Sequence, residues 1–138
     1  MNKYLSIIII LLALNSCGAG ISDEVDDLGD GYQMVLEGGD LTYLLYDGVG
    51  QEHDIPPTIL TYSNADDFII AIQQPLMRQD IIYPGNNYNY ANGNQEVYYW
   101  IIEKKKHITH GPLDMIEYRE LRKQLNIPDN MKFQMTYY

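Results

Sequence analysis

Two histidines, His107 and His110, have the residue type and spacing in this chain that best suit a metal ion, with Asp114 close behind them. Zinc sites need three or four protein ligands. A His-x-x-His pair near a strand end lacks the helical i, i+4 geometry that aims two imidazoles at one ion. His53 completes such a site only if the fold happens to bring it there. We therefore expect surface histidines without a metal, and a metal-dependent hydrolase is the weaker alternative.

Nucleophilic catalysis has no motif in this sequence. The chain contains no Gly-x-Ser-x-Gly turn, and no histidine is tied by its spacing to a serine. The adjacent carboxylates Asp66 and Asp67 point to opposite faces of an extended chain, so they do not make the carboxylate pair of a glycosidase. No cofactor motif is present either. The prediction is a protein without enzymatic activity and without a cofactor.

Residues 83–95 form the most unusual segment in composition, since tyrosine and asparagine dominate it. Tyrosine offers a flat apolar ring with a polar tip, and asparagine offers both a donor and an acceptor, which suits recognition loops and sugar-binding surfaces. Composition carries no geometry, so the preferred interpretation of the segment itself is a long hairpin connection between the fourth and fifth predicted strands, with a recognition loop as the other interpretation. The candidate binding residues are Tyr83, Asn86, Tyr88, Tyr90 and Asn92.

Cys17, the only cysteine, directly follows a short apolar run that begins after Lys3. A positive residue, an apolar stretch of about 7–15 residues and small residues at its end are typical of an export signal. The run is shorter than the ~20 residues that a membrane-spanning helix needs. Residues 14–17 resemble the lipobox of bacterial lipoproteins, although Asn15 is a poorer match. We predict a signal peptide over residues 1–16 and lipid attachment at Cys17; the alternative is a free thiol beside an ordinary cleavage site.

The charge of the predicted mature chain is strongly negative. Removal of residues 1–16 takes away one Lys, so 8 basic residues face 19 acidic ones, a formal charge of −11. Nucleic-acid binding needs a basic surface and is not expected. Residues 17–31 are small and acidic, which predicts a flexible tether after the lipidated cysteine. The one basic run, Lys104 to Lys106, is interpreted as the solvated end of a strand.

Most of residues 32–138 shows the period-two alternation of strands, and this range is predicted to be a single α+β domain. The expected architecture is an antiparallel meander of five to six strands with one C-terminal amphipathic helix packed on one face. The predicted strands are Tyr32–Glu37, Leu41–Tyr46, Thr58–Tyr62, Phe68–Gln73, Glu96–Lys104 and, more weakly, Lys132–Tyr137.

The helix is predicted from Asp114 to Leu125, where Asp114 and Glu117 match a capping box and Pro128 follows the end. Its apolar stripe consists of Met115, Tyr118, Leu121, Arg122 through its alkyl stem, and Leu125.

Two central strands are apolar on both faces, and one helix can cover only one face of the sheet that they form. The other face must be closed by sheet curling, by long loops or by another molecule.

Three stretches together carry a family resemblance: residues 99–103 (Tyr-Trp-Ile-Ile-Glu), residues 111–125 from Gly-Pro-Leu through the helix, and Ile127-Pro128. The chain resembles a set of small bacterial lipoproteins of unknown function, in which Asp is commoner at the position of Glu103. The resemblance implies an envelope lipoprotein with no assigned activity or catalytic residues. Residues 32–73 match more loosely.

The predicted function is therefore a lipid-anchored protein of the cell envelope, outside the cytoplasm, on the cell membrane or the outer membrane. Its expected partners are the membrane, through the lipid on Cys17, and an envelope protein or glycan, contacted through the Tyr/Asn-rich loop or an uncovered sheet face. A structural, self-associating envelope protein is the alternative.

Overall fold

Alternating β-branched and aromatic residues fold into strands in the computed structural model of the protein, which describes residues 24–37, 41–75 and 96–133. These residues contain seven strands, one α-helix and two short 3-10 helices at Gln51–His53 and Lys104–Lys106. The strands are β1 (Glu24–Gly29), β2 (Tyr32–Glu37), β3 (Leu41–Tyr46), β4 (Ile59–Asn64), β5 (Phe68–Gln73), β6 (Tyr98–Glu103) and β7 (Ile108–Leu113), and the helix is α1 (Met115–Gln124).

The strands follow each other as an antiparallel meander that is split into two sheets, β1-β2-β3 and β4-β5-β6-β7. The predicted α+β class and meander are confirmed, and β2, β3 and β5 have the predicted bounds. Of the weak strand at 132–137, residues 132 and 133 are not in a strand, and the rest lies outside the described residues.

Strand β1 corrects the prediction of a tether, because residues 24–29 pair with β2 from Glu24 opposite Leu36 to Gly29 opposite Tyr32. Only Leu28 is buried in this strand. A strand with one buried residue has no visible alternation, so its sequence resembles a linker. Its place depends on backbone pairing and on long-range contacts with the second sheet.

Strand β7 was also missed, since the sequence Ile-Thr-His-Gly-Pro-Leu contains two residues that usually break strands. Among the described strands, it lies at the edge of the second sheet and pairs only with β6. An edge strand tolerates proline because one side of its backbone needs no ladder partner.

The predicted double-sided burial of β5 and β6 is confirmed, and two separate apolar clusters cover the two faces. Ile69, Ala71, Trp100 and Ile102 pack between the sheets, against residues of the first sheet such as Leu44. The opposite face lies under α1 and the segment after it. The buried residues of this second cluster, from the sheet, the helix and that segment together, are Ile70, Tyr99, Ile101, Tyr118, Ile127 and Met131. The face that one helix leaves uncovered is therefore closed by the first sheet, and the expectation of an uncovered sheet face there is wrong.

Helix α1 begins with the predicted capping box. The Asp114 carboxylate accepts hydrogen bonds from the backbone N–H groups of Ile116 (2.7 Å) and Glu117 (2.8 Å). The Glu117 carboxylate accepts one from the N–H of Asp114 (2.8 Å). Three backbone N–H groups at the start of the helix thereby find acceptors. Met115, predicted to lie on the buried stripe, is instead 38 % exposed.

The molecule has two ends, which the strand register defines. The first end holds the start of β1 and the start of α1; the second end holds the β1–β2 turn at 29–31 and the 3-10 helix at Lys104–Lys106. Tyr62 of β4 contacts Asp26, and Asn64 contacts Leu28, so β4 and β1 run in the same direction. Helix α1 starts just after Leu113, opposite Tyr99, and ends beside the second end. No helix among the described residues has both the length and the apolar character to cross a bilayer.

Candidate functional site

Several residues that the sequence singled out lie outside the described residues. They are Cys17, Tyr83, Asn86, Tyr88, Tyr90 and Asn92, together with the signal segment 1–16 and positions 18–23 of the tether. The search for a site therefore uses the described residues alone.

His107 and His110 face opposite sides of the second sheet. The His107 ring lies 4.8 Å from the Tyr46 ring, on the side of the first sheet. His110 is paired with Ile101, whose side chain is under α1, and its Nε2 lies 3.0 Å from Oε1 of Glu103. The two imidazoles therefore do not meet at one ion. Within residues 24–37, 41–75 and 96–133, no three His, Cys, Asp or Glu side chains form a group that could hold a metal.

A cluster of four rings, Tyr32, Tyr46, His53 and His107, fills the second end between the sheets. Tyr46 lies at its centre, 4.9 Å from the Tyr32 ring and 5.1 Å from the His53 ring. Within the part of the chain that the structure describes, the Tyr32 hydroxyl and the Nδ1 atoms of both histidines are buried without a hydrogen-bond partner. Burial raises the pKa of Tyr32 to about 12. A neutral phenol at physiological pH is a poor base or nucleophile, so this cluster has the properties of a polar part of the core.

Lys104 corrects the interpretation of the basic run as a solvated strand end, because this lysine is only 4 % exposed. Its ammonium group donates to the carbonyl oxygen of Leu28 at 2.6 Å, to Oδ1 of Asn64 at 3.1 Å and to the carbonyl oxygen of Ala65 at 3.1 Å. A buried ammonium needs such acceptors, since an unpaired one is strongly disfavoured. Lys104 thus joins β1 to the second sheet and is unavailable to a ligand.

The other two lysines of the run lie at the rim of a cleft, named here the Glu103 cleft. Hydrogen bonds from Lys106 (2.5 Å) and from His110 lower the pKa of Glu103, so its carboxylate stays ionised at neutral pH. Lys105 pairs with Asp67. The cleft measures about 390 Å³ and is lined by Asp67, Phe68, Glu103, Lys105, Lys106, Gln124, Leu125 and Asn126. Two carboxylates balance its two ammonium groups, so it has no net charge to attract an ion.

A neighbouring cleft at the end of α1, named here the Arg122 cleft, is cationic. It measures about 470 Å³ and is lined by Arg119, Arg122, Lys123, Asn126, Ile127, Pro128 and Asp129. Three positive side chains and one carboxylate give its lining a formal charge of +2, in a chain whose net charge is −10. Charge therefore distinguishes this cleft from the Glu103 cleft as the better candidate site.

Arg122 is held rigidly at this site by three acceptors. Its guanidinium donates to the Tyr118 hydroxyl at 2.8 Å, to the carbonyl oxygen of Pro128 at 2.7 Å and to the carbonyl oxygen of Met131. A guanidinium carries five N–H donors, so the Nε–H and one N–H of Nη1 have no acceptor among the described residues. The three bonds also fix the segment after the helix and hold the guanidinium in one orientation.

The backbone at the end of α1 is closed by a Schellman motif. Asn126 has a left-handed φ of 54°. Its N–H donates to the carbonyl oxygen of Lys123 (3.1 Å), and the N–H of Ile127 donates to that of Arg122 (3.1 Å). This is the pattern in which the last helix carbonyls find donors. Ile127 is buried against the core, so the motif also gives the floor of the Arg122 cleft a defined shape.

This cleft was not predicted from the sequence, although a signal was present. Arg119, Arg122 and Lys123 are spaced i, i+3 and i+4, which places all three on one side of a helix. The apolar stripe was predicted to include Arg122 through its alkyl stem, whereas the structure shows its guanidinium carbon 6.0 Å from the centre of the Tyr118 ring. The cleft itself depends on the path of residues 127–131, which no local pattern predicts.

Comparison with known proteins assigns a family and no activity. The model of a family described as a protein of unknown function, DUF3997, matches residues 31–137, which is most of the chain. No curated protein and no solved structure matches this chain. The matched range includes the predicted domain with both clefts, and the chain belongs to this family.

Proposed function

We propose that this member of the DUF3997 family is a lipid-anchored protein of the bacterial cell envelope that binds another envelope component without catalysing a reaction. The observation that carries the proposal is the Arg122 cleft: a cationic concavity with a rigid guanidinium in an acidic chain. Clefts with a few fixed polar groups are the usual form of ligand sites. The anchor rests on the lipobox-like residues that end at Cys17.

The position of β1 limits how far the domain can lie from its anchor. Only residues 18–23 separate Cys17 from the first residue of β1. Six extended residues span about 20 Å at most. An acylated Cys17 therefore keeps the first end of the molecule near the bilayer surface. The Arg122 cleft lies toward the second end, where it faces away from the place at which the chain enters the domain.

The absence of catalysis is supported by how the structure distributes the polar residues. His107 and His110 lie on opposite faces of a sheet, and the orphan hydroxyl of Tyr32 is sealed between the sheets. His110 and Glu103 do form a pair at the Glu103 cleft. Lys105 and Lys106, which line the same cleft, form ion pairs with carboxylates. A binding role requires no change in the position or protonation of these groups.

The Tyr/Asn-rich segment is a second proposed contact with the partner. The nearest described residues on either side of it, Pro75 and Glu96, follow and precede strands that meet at the first end, where Gln73 pairs with Tyr98. Exchange of Tyr88 and Tyr90 for serine should weaken capture of a partner while leaving thermal unfolding unchanged. Unchanged capture would remove the segment from the proposal.

Self-association has one observation in its favour. Strand β1 is an edge strand, and its Val25 is 52 % exposed. However, Glu24, Asp26 and Asp27 in the same strand oppose pairing with a second acidic edge. Analytical ultracentrifugation at high concentration distinguishes self-association from a monomeric binding protein, because a strictly monomeric protein is incompatible with edge pairing.

The anchor is tested by the intact mass of the protein recovered from the membrane fraction of a bacterial host, beside a Cys17→Ala variant. We expect cleavage before Cys17 with added diacylglyceryl, and loss of both features in the variant. An unmodified thiol in the soluble fraction would refute the anchor.

The binding role is tested by a photo-cross-linking residue at position 123 in living cells, with the same residue at position 49 as the control. Val49 is 97 % exposed and lies outside both clefts. A cross-linked envelope component specific to position 123 supports the role. Identical products at both positions would show random contact.

A further inference from the structure

We propose that the Arg122 cleft binds the phosphoryl oxyanion of a ligand that is not a membrane lipid. This inference rests on the proposed binding role and names the chemistry that the site recognises. Three observations carry it: the fixed guanidinium of Arg122, the unpaired cations beside it, and the location of the cleft in the fold.

The first observation is the preorganisation of Arg122. A guanidinium presents five N–H donors in a rigid planar fork. In a free side chain, much of the binding energy is lost in ordering the long stem. Here the bonds to Tyr118, Pro128 and Met131 already hold the fork in place and use both hydrogens of Nη2. The remaining donors, the Nε–H and one N–H of Nη1, lie on different edges of the group, so each can donate a single hydrogen bond to an oxyanion with little loss of entropy.

The second observation is the crowding of like charges around that fork. Arg119 lies three residues before Arg122 and four before Lys123, so these cations are neighbours on one helix face. Among the described residues, no carboxylate forms an ion pair with Arg119 or Lys123. Like charges at this spacing destabilise a helix. A bound dianion removes that repulsion, which a purely structural arrangement would leave in place.

The partial negative charge at the C-terminal end of α1 repels an anion. Its size relative to the charge of the cleft lining decides whether the cleft still attracts an anion. The C-terminus of a helix carries the equivalent of about half a negative charge. The last carbonyls of α1 are engaged in the Schellman motif of Asn126 and Ile127. Against this, the cleft lining has a formal charge of +2 once Asp129 is counted. The cations therefore outweigh the dipole, and the net field favours a negatively charged ligand.

The third observation concerns the source of the phosphate. The cleft lies at the end of α1 that is remote from the start of β1, where the chain from Cys17 enters. A headgroup of the anchoring membrane would approach the first end of the domain. The cleft is therefore assigned to a phosphate-bearing ligand that comes from the envelope space, such as a phosphorylated glycan or polymer.

The test is a titration of the lipidated chain in phosphatidylcholine nanodiscs with inorganic phosphate, at constant ionic strength, followed by amide NMR shifts. Two variants probe the cleft, Arg119→Gln and Lys123→Gln. The matched control is Lys132→Gln, which removes the same charge at an exposed position outside the cleft. None of the three residues has a hydrogen bond to another described residue that its substitution would break.

The expected result is a saturable shift centred on residues 119–129. Each cleft variant should weaken phosphate binding by about tenfold, as loss of one charge-assisted hydrogen bond implies. The control should stay within about twofold of the unaltered chain.

No saturable shift, or an equal loss in Lys132→Gln, would overturn the phosphate site. Nanodiscs that contain phosphatidylglycerol form a second arm without free phosphate. If they alone shift the same signals, the ligand is a lipid headgroup and the assignment to a non-lipid ligand is wrong. If the chain carries no lipid, the titration is run in buffer, so failure of the anchor and failure of the phosphate site are separate results.

Discussion

Replacement of Lys104 by methionine should strongly destabilise the protein, whereas the same replacement of Lys105, the next residue, should not. The two lysines differ in burial: the side chain of Lys104 is 5 % exposed and that of Lys105 is 69 % exposed. Methionine has nearly the same length and keeps the apolar contacts of the stem. The comparison therefore isolates the ammonium group.

The magnitude follows from the three acceptors of Lys104. The carbonyl oxygen of Leu28 keeps a second donor, Nδ2 of Asn64 at 3.1 Å, so its loss is partly compensated. Oδ1 of Asn64 and the carbonyl oxygen of Ala65 lose the donor that Lys104 supplied. A buried acceptor left without a donor costs about 1–3 kcal/mol, and water can partly replace the lost donor here because Asn64 and Ala65 are exposed residues. We expect a loss of about 2 kcal/mol, which lowers the melting temperature of a domain of this size by roughly 10 °C.

Thermal unfolding followed by circular dichroism measures this difference for Lys104→Met and Lys105→Met side by side. Amide hydrogen exchange adds a local readout, since β1 should lose protection first when its link to the second sheet is removed. Equal melting temperatures for the two variants would refute the argument that the buried ammonium joins the sheets. A large loss without faster exchange in β1 would place the effect elsewhere.

Three further perturbations probe the core and the helix. The pKa of Tyr32, about 12, lies above its value of 10 in an unfolded chain. The burial of the neutral phenol therefore contributes about 2–3 kcal/mol to the free energy of unfolding below pH 10, and this contribution is lost between pH 10 and 12. In urea unfolding, Tyr32→Phe should remove this loss of stability at high pH, and an unchanged pH profile would contradict it. Asp114→Ala should lower the free energy of unfolding by about 1 kcal/mol, because the capping box is lost, and an unaffected midpoint would mean that the cap adds little. Gly111 has a φ of +151°, and a Cβ there would lie 2.4 Å from the Trp100 ring; Gly111→Ala should therefore cost about 1–3 kcal/mol and shift the fluorescence of this single tryptophan, whereas unaltered emission would show that the ring has room to move.

Local patterns predicted those elements whose side chains alternate or repeat clearly. Strands β2, β3 and β5 have the predicted bounds because each is a short run rich in β-branched, aromatic and other apolar residues with Gly, Asp or Pro close to both ends. The capping box at Asp114 was found because its two partners are three residues apart. Burial of β6 on both faces was predicted from its apolar residues at successive positions. The prediction is confirmed, because each of its six residues is buried.

Long-range contacts decided the elements that the patterns missed. Strand β1 has one buried residue and, among the described strands, pairs only with β2, so its sequence resembles an acidic linker. Strand β7 contains Gly111 and Pro112, which local rules assign to a turn. The burial of Lys104 depends on carbonyl oxygens from Leu28 and Ala65, far away in the chain. None of these acceptors has a signature in the residues around the lysine.

The sequence by itself determined the α+β class, the capped helix and the two-sided apolar strands, because hydrophobic periodicity and capping act between residues a few positions apart. It also supplied the candidate anchor at Cys17. Only the tertiary structure decided that the meander divides into two sheets and that the first sheet closes the face that one helix leaves open. It alone turned Arg119, Arg122 and Lys123 into the wall of a cleft. The physical reason is that burial and hydrogen-bond acceptors at these places come from segments distant in sequence, and their meeting is a property of the whole fold.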